Sequence, residues 1–294
     1  MAKKALCVGI NKFKNYPSSA LQGCVNDTND MEALLKKWLG FGSGDIVKLT
    51  DTQATKENIM KNLKEMVDGA KKGKYGYLVF SLSSHGTQVP DTSGDEPDKA
   101  DEAVCPYDLA SAGSFRDPKH ILIDDELHDL FIQLPANVLP EAYLDTCHSG
   151  TGIRAMDFLP DRKPRWMPPP SYEAFQKVEG RRSRGLHESF LEKGVVHHIL
   201  WAGCRADQTS ADAYIAGGWH GAFTYHFCRV MYETKNKLPR KDVLKKVRQA
   251  LTANHYNQAP QLECEATKRN APVAYLNFFF DQRATCLVDV GSKA

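Results

Sequence analysis

Two short strings hold the residues best suited to chemistry: Ser83-Ser84-His85-Gly86 and Asp145-Thr146-Cys147-His148-Ser149-Gly150. Each closes an apolar run that reads as a buried strand, residues 77–82 before the first and 138–144 before the second. A histidine ending one strand and a cysteine ending another suit a thiol nucleophile and its base, which must meet in space but not in sequence. Side chains alternate along a strand, so Ser83 points with His85 and Asp145 with Cys147. His148, on the opposite face from Cys147, is the weaker candidate for the base. The N–H groups of Gly86 and Cys147 are placed to hold an oxyanion, and Gly86 lets a backbone approach closely. A lone buried cysteine or histidine is more often core filling. Two strand ends, each followed by a glycine-containing turn, favour chemistry instead.

Asp145 is an odd neighbour for a thiolate, because a carboxylate disfavours the anionic sulfur. It makes sense if the carboxylate serves a cationic substrate. Asp27, in Gly23-Cys24-Val25-Asn26-Asp27, offers a second acid. Two acids at the base of a pocket would hold a guanidinium by charge-assisted bonds. The competing reading of Asp27 is a helix N-cap.

The elements that must position these groups alternate. Strands are expected at residues 4–10, 45–50, 75–83, 138–145 and 197–202. Helices are expected at 26–39, 55–72, 124–133, 222–232 and 241–254, several with a clear apolar stripe. This order predicts an α/β fold with a mostly parallel sheet covered on both faces. Ligands then bind beyond the carboxyl ends of the strands, where His85 and Cys147 fall. Two segments break the pattern. Residues 91–102 are acidic, and 160–185 are rich in proline and basic residues. The second reads as an exposed, poorly ordered connection.

Bulk properties narrow the class. With 294 residues, 42% hydrophobic and 25% charged, the chain can bury a substantial core. A formal net charge of +2 gives no reason to invoke nucleic acid or an anionic membrane. The apolar stretch at 5–10 is too short for a secretory leader, and none approaches a membrane span. The 8 cysteines show no metal-ligand spacing, which argues against zinc and for free thiols. A cytoplasmic monomer is expected.

Together with Gly203-Cys204-Arg205-Ala206-Asp207-Gln208-Thr209-Ser210-Ala211-Asp212 and Trp219-His220-Gly221-Ala222-Phe223-Thr224-Tyr225, these strings resemble the metacaspases of the caspase-like cysteine peptidase clan. The likeness runs over roughly residues 4–265. It implies one caspase-like α/β/α sandwich, with a large-subunit-like part (1–160), the basic linker (161–185) and a small-subunit-like part (186–294). It implies a Cys147–His85 dyad, cleavage of protein or peptide substrates after Arg or Lys, and a specificity pocket of Cys24, Asp27, Ser83 and Asp145. The animal-caspase signature Gln-Ala-Cys is absent, so cleavage after aspartate is not expected. The resemblance also implies activation by Ca2+ through Asp101, Asp124 and Asp125; the acid nearest the fourth position is Asp157. A protease of this kind should nick its own linker, which holds seven basic residues. Pro164 protects Lys163, leaving Lys177, Arg182 and Arg184 as the expected sites. The rival from another class is a caspase-like interaction module whose catalysis is vestigial.

Overall fold

The computed structural model describes residues 2–90, 100–147, 159–178, 198–205 and 208–274. Five parallel strands form the centre: β1 (Ala2–Gly9), β2 (Ile46–Thr50), β3 (Tyr75–Ser83), β9 (Leu139–Asp145) and β11 (Ile199–Ala202). A sixth, β14 (Gln261–Glu263), closes one edge antiparallel, and the order is β14-β11-β9-β3-β1-β2. A short sheet of β4 (Gly86–Pro90), β5 (Ala100–Val104) and β8 (Leu122–Ile123) stands beside it; β6 (Ser111–Ala112) and β7 (Phe115–Arg116) form a small hairpin.

Alternation along the strands sends side chains to two cores. Leu6 and Val8 of β1 and Leu78, Phe80 and Leu82 of β3 pack with α2 (Lys56–Lys71) and α3 (Asp124–Phe131). Ala5 and Cys7, with Tyr77 and Val79, face α1 (Cys24–Trp38), α5 (Ala222–Thr234) and α6 (Arg240–Ala253). Ser83 and Asp145 follow the second parity. They are Cα partners in the β3–β9 register, on the side where α1 packs.

The first helix begins at Cys24, two residues earlier than expected, with Gly23 as its N-cap. Asp27 is therefore inside the first turn, and its carboxylate does other work than capping. Glu141 of β9 lies on the α1 side too. Its carboxylate accepts from Arg240 Nε (2.9 Å) and Nη2 (2.8 Å), Trp201 Nε1 (2.9 Å) and Tyr77 Oη (2.8 Å). Arg240 Nη1 donates on to the Pro272 carbonyl at 2.8 Å. This buried pair ties the central strand to α6 and to the segment after α7 (Ala266–Arg269).

The reading of 160–185 as an exposed connection fails over its first half. Residues Arg162–Pro164 form β10, which pairs antiparallel with β12 (Ala211–Ile215), itself paired with β13 (Gly218–Gly221). Arg165 is completely buried, and Tyr172–Val178 form helix α4. Residues 101 and 102, at the end of the acidic stretch, are buried in β5.

Candidate active site

The carboxyl ends of β3 and β9 bring the two reactive side chains to one rim. His85 follows β3 and is 5% exposed; Cys147 follows β9 and is fully buried. Both line a groove that is filled by the chain itself. Residues 162–167 run through it as strand β10, a bend at Arg165 and a parallel bridge from Trp166 to Gly86. The Arg165 N–H donates to the Ser210 carbonyl (2.9 Å), continuing the β10–β12 pairing. On the other side the Met167 N–H donates to the Gly86 carbonyl (2.9 Å).

The carbonyl of Arg165 is the centre of the arrangement. It accepts from the N–H of Gly86 at 2.9 Å and from the N–H of Cys147 at 3.3 Å. These are the two donors expected to hold an oxyanion, and they converge on one oxygen. The His85 ring also borders this backbone. Its Nε2 bonds the Ser19 carbonyl at 2.8 Å, and the Phe13 ring lies beside it, tilted by 34° with centroids 5.2 Å apart. Burial lowers the His85 pKa to about 4, with the Ser19 and Arg165 backbone oxygens opposing in part. The ring is thus neutral near pH 7 and able to take a proton. The Cys147 thiol donates to the Gln208 carbonyl at 2.9 Å. Cys204 lies alongside, donating to the same oxygen at 3.4 Å; contact with Cys147 and burial push its own pKa well up.

Beneath the carbonyl, the Arg165 side chain enters an acidic pocket. Its Nη2 meets Asp27 Oδ2 at 2.7 Å and Asp212 Oδ1 at 3.0 Å, and its Nη1 meets Asp145 Oδ2 at 3.3 Å. Each carboxylate is also fixed by the fold. Asp27 accepts from the Gly221 N–H (2.7 Å), and Asp212 from the N–H groups of Gln22 (2.8 Å) and Gly23 (2.9 Å). Asp145 accepts from Ser210 Oγ and from the N–H (3.0 Å) and hydroxyl (2.7 Å) of Thr224. Three acids share one cation. Arg165 is accordingly held far above its usual range, whereas burial raises the Asp27 carboxyl against the pull of Arg165. A β-carbon at residue 221 would collide with Asp145, Arg165 and Asp27, so only glycine fits the pocket wall there.

The chain matches the caspase-domain family model over residues 2–271. It belongs to the caspase-domain family of peptidases. Within that family it is 32% identical to Metacaspase-1 of Cryptococcus neoformans, over 88% of this chain and 62% of that protein. It is 32% identical to Metacaspase-1A of Aspergillus niger, over 89% and 70%, and 33% to Metacaspase-1 of Botryotinia fuckeliana, over 89% and 67%. The chain thus spans about two thirds of the length of these metacaspases. Among solved structures it is similar to a Geobacter sulfurreducens protein, with TM-score 0.64, 26% identity and coverage of 93% and 98%. The fold is also that of Caspase-1 from Spodoptera frugiperda, with TM-score 0.57, 13% identity and coverage of 89% and 86%. The metacaspase resemblance and the caspase-like α/β sandwich read from the sequence both hold.

Of the pocket residues expected from the sequence, Asp27 and Asp145 touch the guanidinium. Cys24, at the start of α1, is buried close enough for Arg165 and all three acids to bear on its thiol. Ser83 is buried at the rim, beside Asp145 in register. Sequence reasoning misses Asp212 and Arg165 as pocket residues. Asp212 stands in one of the strings that carry the family resemblance, but nothing in that string shows it folding back over Gly23. Arg165 is one basic residue among seven in the linker.

The other expected sites fare differently. Asp101 lies in β5, which pairs with β8, and Asp124 and Asp125 open α3 directly after β8. Among the described residues, however, no group of three or more His, Cys, Asp or Glu side chains is arranged to hold a metal. Asp157 lies outside the described residues, as do His148, Arg182 and Arg184. Lys177 is helical in α4, with its ammonium 4.5 Å from the Phe115 ring centre.

Proposed function

We propose that the chain is a cysteine endopeptidase that cuts after arginine or lysine with Cys147 as nucleophile and His85 as acid–base. One observation carries this reading: an arginine already occupies the cleft, with its guanidinium among three carboxylates and its carbonyl on the Gly86 and Cys147 N–H groups. A buried ion cluster built only for stability has no need to place the arginine carbonyl between two backbone donors beside a cysteine and a histidine.

In the proposed reaction the Cys147 proton passes to His85, and the sulfur attacks the carbonyl carbon after the basic residue. The Gly86 and Cys147 N–H groups hold the developing oxyanion. His85 then protonates the leaving amine, and afterwards takes a proton from the water that opens the thioester. Asp145 is kept away from the thiolate by its work: both of its oxygens are engaged by Ser210, Thr224 and Arg165. Hydrolysis of a panel of arginyl, lysyl and aspartyl peptide amides tests the reading. Turnover of arginyl and lysyl amides that is lost in Cys147→Ala supports it. A preference for aspartyl amides, or a Cys147 inert to an arginyl chloromethyl ketone, would overturn it; the second result would favour an interaction module.

Calcium activation is part of the proposal. Its support is the metacaspase resemblance, which assigns Asp101, Asp124 and Asp125 to the ion, and its test is activity in millimolar calcium against EDTA. The seven cysteines among the described residues are free thiols. No helix among the described residues is long and apolar enough to cross a membrane.

A further inference from the structure

We propose that the cleft carries a second cation subsite, built by the end of α6 and the Tyr256 ring, which selects substrates with an arginine three residues before the one in the acidic pocket. The inference rests on the arginine/lysine reading and adds a second determinant to it.

The path of residues 161–165 shows where that side chain falls. Arg165 fills the acidic pocket, and the residues before it pair antiparallel with β12, Arg162 lying opposite Ala213. The Tyr214 N–H donates to the Asp161 carbonyl at 2.8 Å, so the pairing continues past Arg162. A ladder of backbone groups holds any sequence in the same register. At the position of Arg162, Nη1 donates to the His255 carbonyl at 2.8 Å and Nη2 to the Asn254 carbonyl at 3.2 Å. The guanidinium carbon lies 4.2 Å from the centre of the Tyr256 ring.

The fold sets each part of this seat. Asn254 is the C-cap of α6, the end where helix carbonyls look for outside donors and the helix dipole is negative. The turn that follows is fixed by the His255 N–H on the Thr252 carbonyl (3.1 Å) and the Tyr256 N–H on the Leu251 carbonyl (3.0 Å). The Tyr256 ring is half-buried against the α1-side core, with the His226 ring 6.1 Å away. A guanidinium suits this seat because its planar fork spans two successive carbonyls while its face covers a ring. An ammonium brings only a point charge. A carboxylate would meet two carbonyl oxygens and the negative face of the ring. The subsite therefore reads charge and shape together, on different elements from the three acids of the pocket.

The test is a peptide series on the full chain. The kcat/KM of an acetyl-Arg-Lys-Pro-Arg amide is compared with those of peptides carrying citrulline, alanine or glutamate in place of the first arginine. Citrulline keeps the shape and N–H groups but lacks the charge. The arginine peptide should exceed the alanine peptide by about tenfold or more, with citrulline between them and glutamate lowest. The same series is run on Tyr256→Leu, where the arginine-to-alanine ratio should fall to about a third of its wild-type value or less. Taking the ratio within each protein cancels any general loss of activity in the variant. If Tyr256→Leu fails to fold, the wild-type series decides by itself. Equal kcat/KM for the arginine and alanine peptides would overturn the proposal and reduce Arg162 to a tether. Citrulline matching arginine would overturn it as well, as would an unchanged ratio in folded Tyr256→Leu. In each of these cases the final arginine is still cleaved and the arginine/lysine reading stands. Hydrolysis of none of these peptides, whether or not aspartyl amides are cut, overturns both.

Discussion

At the scale of single residues, the site is a problem of uncompensated charge. Asp27, Asp145 and Asp212 are all nearly inaccessible to water, and one guanidinium serves the three. Removing one partner from a buried charge network typically costs about 2–5 kcal/mol. Asp27→Asn and Asp212→Asn should each lower kcat/KM for arginyl amides by about 100-fold, with a smaller loss for any neutral side chain that is accepted. Steady-state kinetics on a matched pair of amides checks this. Unchanged arginyl kcat/KM in both variants would remove the acids from the pocket.

His85 supplies a second prediction at this scale. Its pKa is lowered from 6.5 to about 4 in the folded chain, so the unfolded chain binds the proton first on acidification. Its stabilisation is full above about pH 6.5 and is lost as pH falls toward 4. Asp27 works in the other direction: raised to about 6, it contributes at low pH and loses that contribution as pH rises through about 6. The difference between wild type and His85→Asn isolates the histidine. Melting temperatures between pH 7 and 4 should fall less steeply in the variant. Parallel curves would mean that His85 is not held neutral.

At the scale of elements, the pocket depends on how closely α1, β9 and the β13–α5 junction approach. Asp27 enters from the first turn of α1, Asp145 from the end of β9 and Asp212 from β12, and Gly221 lets them meet. Gly221→Ala should leave secondary structure intact and depress arginyl activity by more than about tenfold, because a 1 Å displacement at a catalytic site can cost as much as 100-fold. Circular dichroism with the amide assay separates the two effects. The Glu141–Arg240 pair is the structural counterpart. Its carboxylate is fully paired, and Arg240 keeps it below the usual carboxylate range despite burial. Arg240→Ala should destabilise the chain by about 3–5 kcal/mol in urea denaturation, since it leaves a buried carboxylate without its cation.

At the scale of the whole molecule, the small β4–β5–β8 sheet connects directly to the cleft. Gly86 begins β4 and donates to the Arg165 carbonyl, while β5 carries Asp101 next to α3 with Asp124 and Asp125. An ion bound at those acids would act on the oxyanion donor through one strand pair. Activity should therefore rise in millimolar calcium and fall on chelation, and Asp124→Ala should remove the response. Equal rates in calcium and EDTA would leave these acids as structural residues of α3 and β5.

The sequence by itself determined the features that obey local rules. Alternation placed Ser83 with His85 and Asp145 with Cys147, and the strand–helix order required a parallel sheet whose carboxyl ends hold the site. Those readings need only a period and an end. It also named Asp145 as an acid for a cation, because its chemistry is unhelpful to a thiolate otherwise, and offered Asp27 as the second. Tertiary structure alone decided the rest. Asp212 joins Asp27 across 185 positions only because the chain folds β12 over Gly23. The proline-rich, basic stretch around Arg165 has the composition of a solvated connection. Composition reports average solvation, and it cannot register that one guanidinium from that stretch would be drawn out of water by three carboxylates contributed from elsewhere.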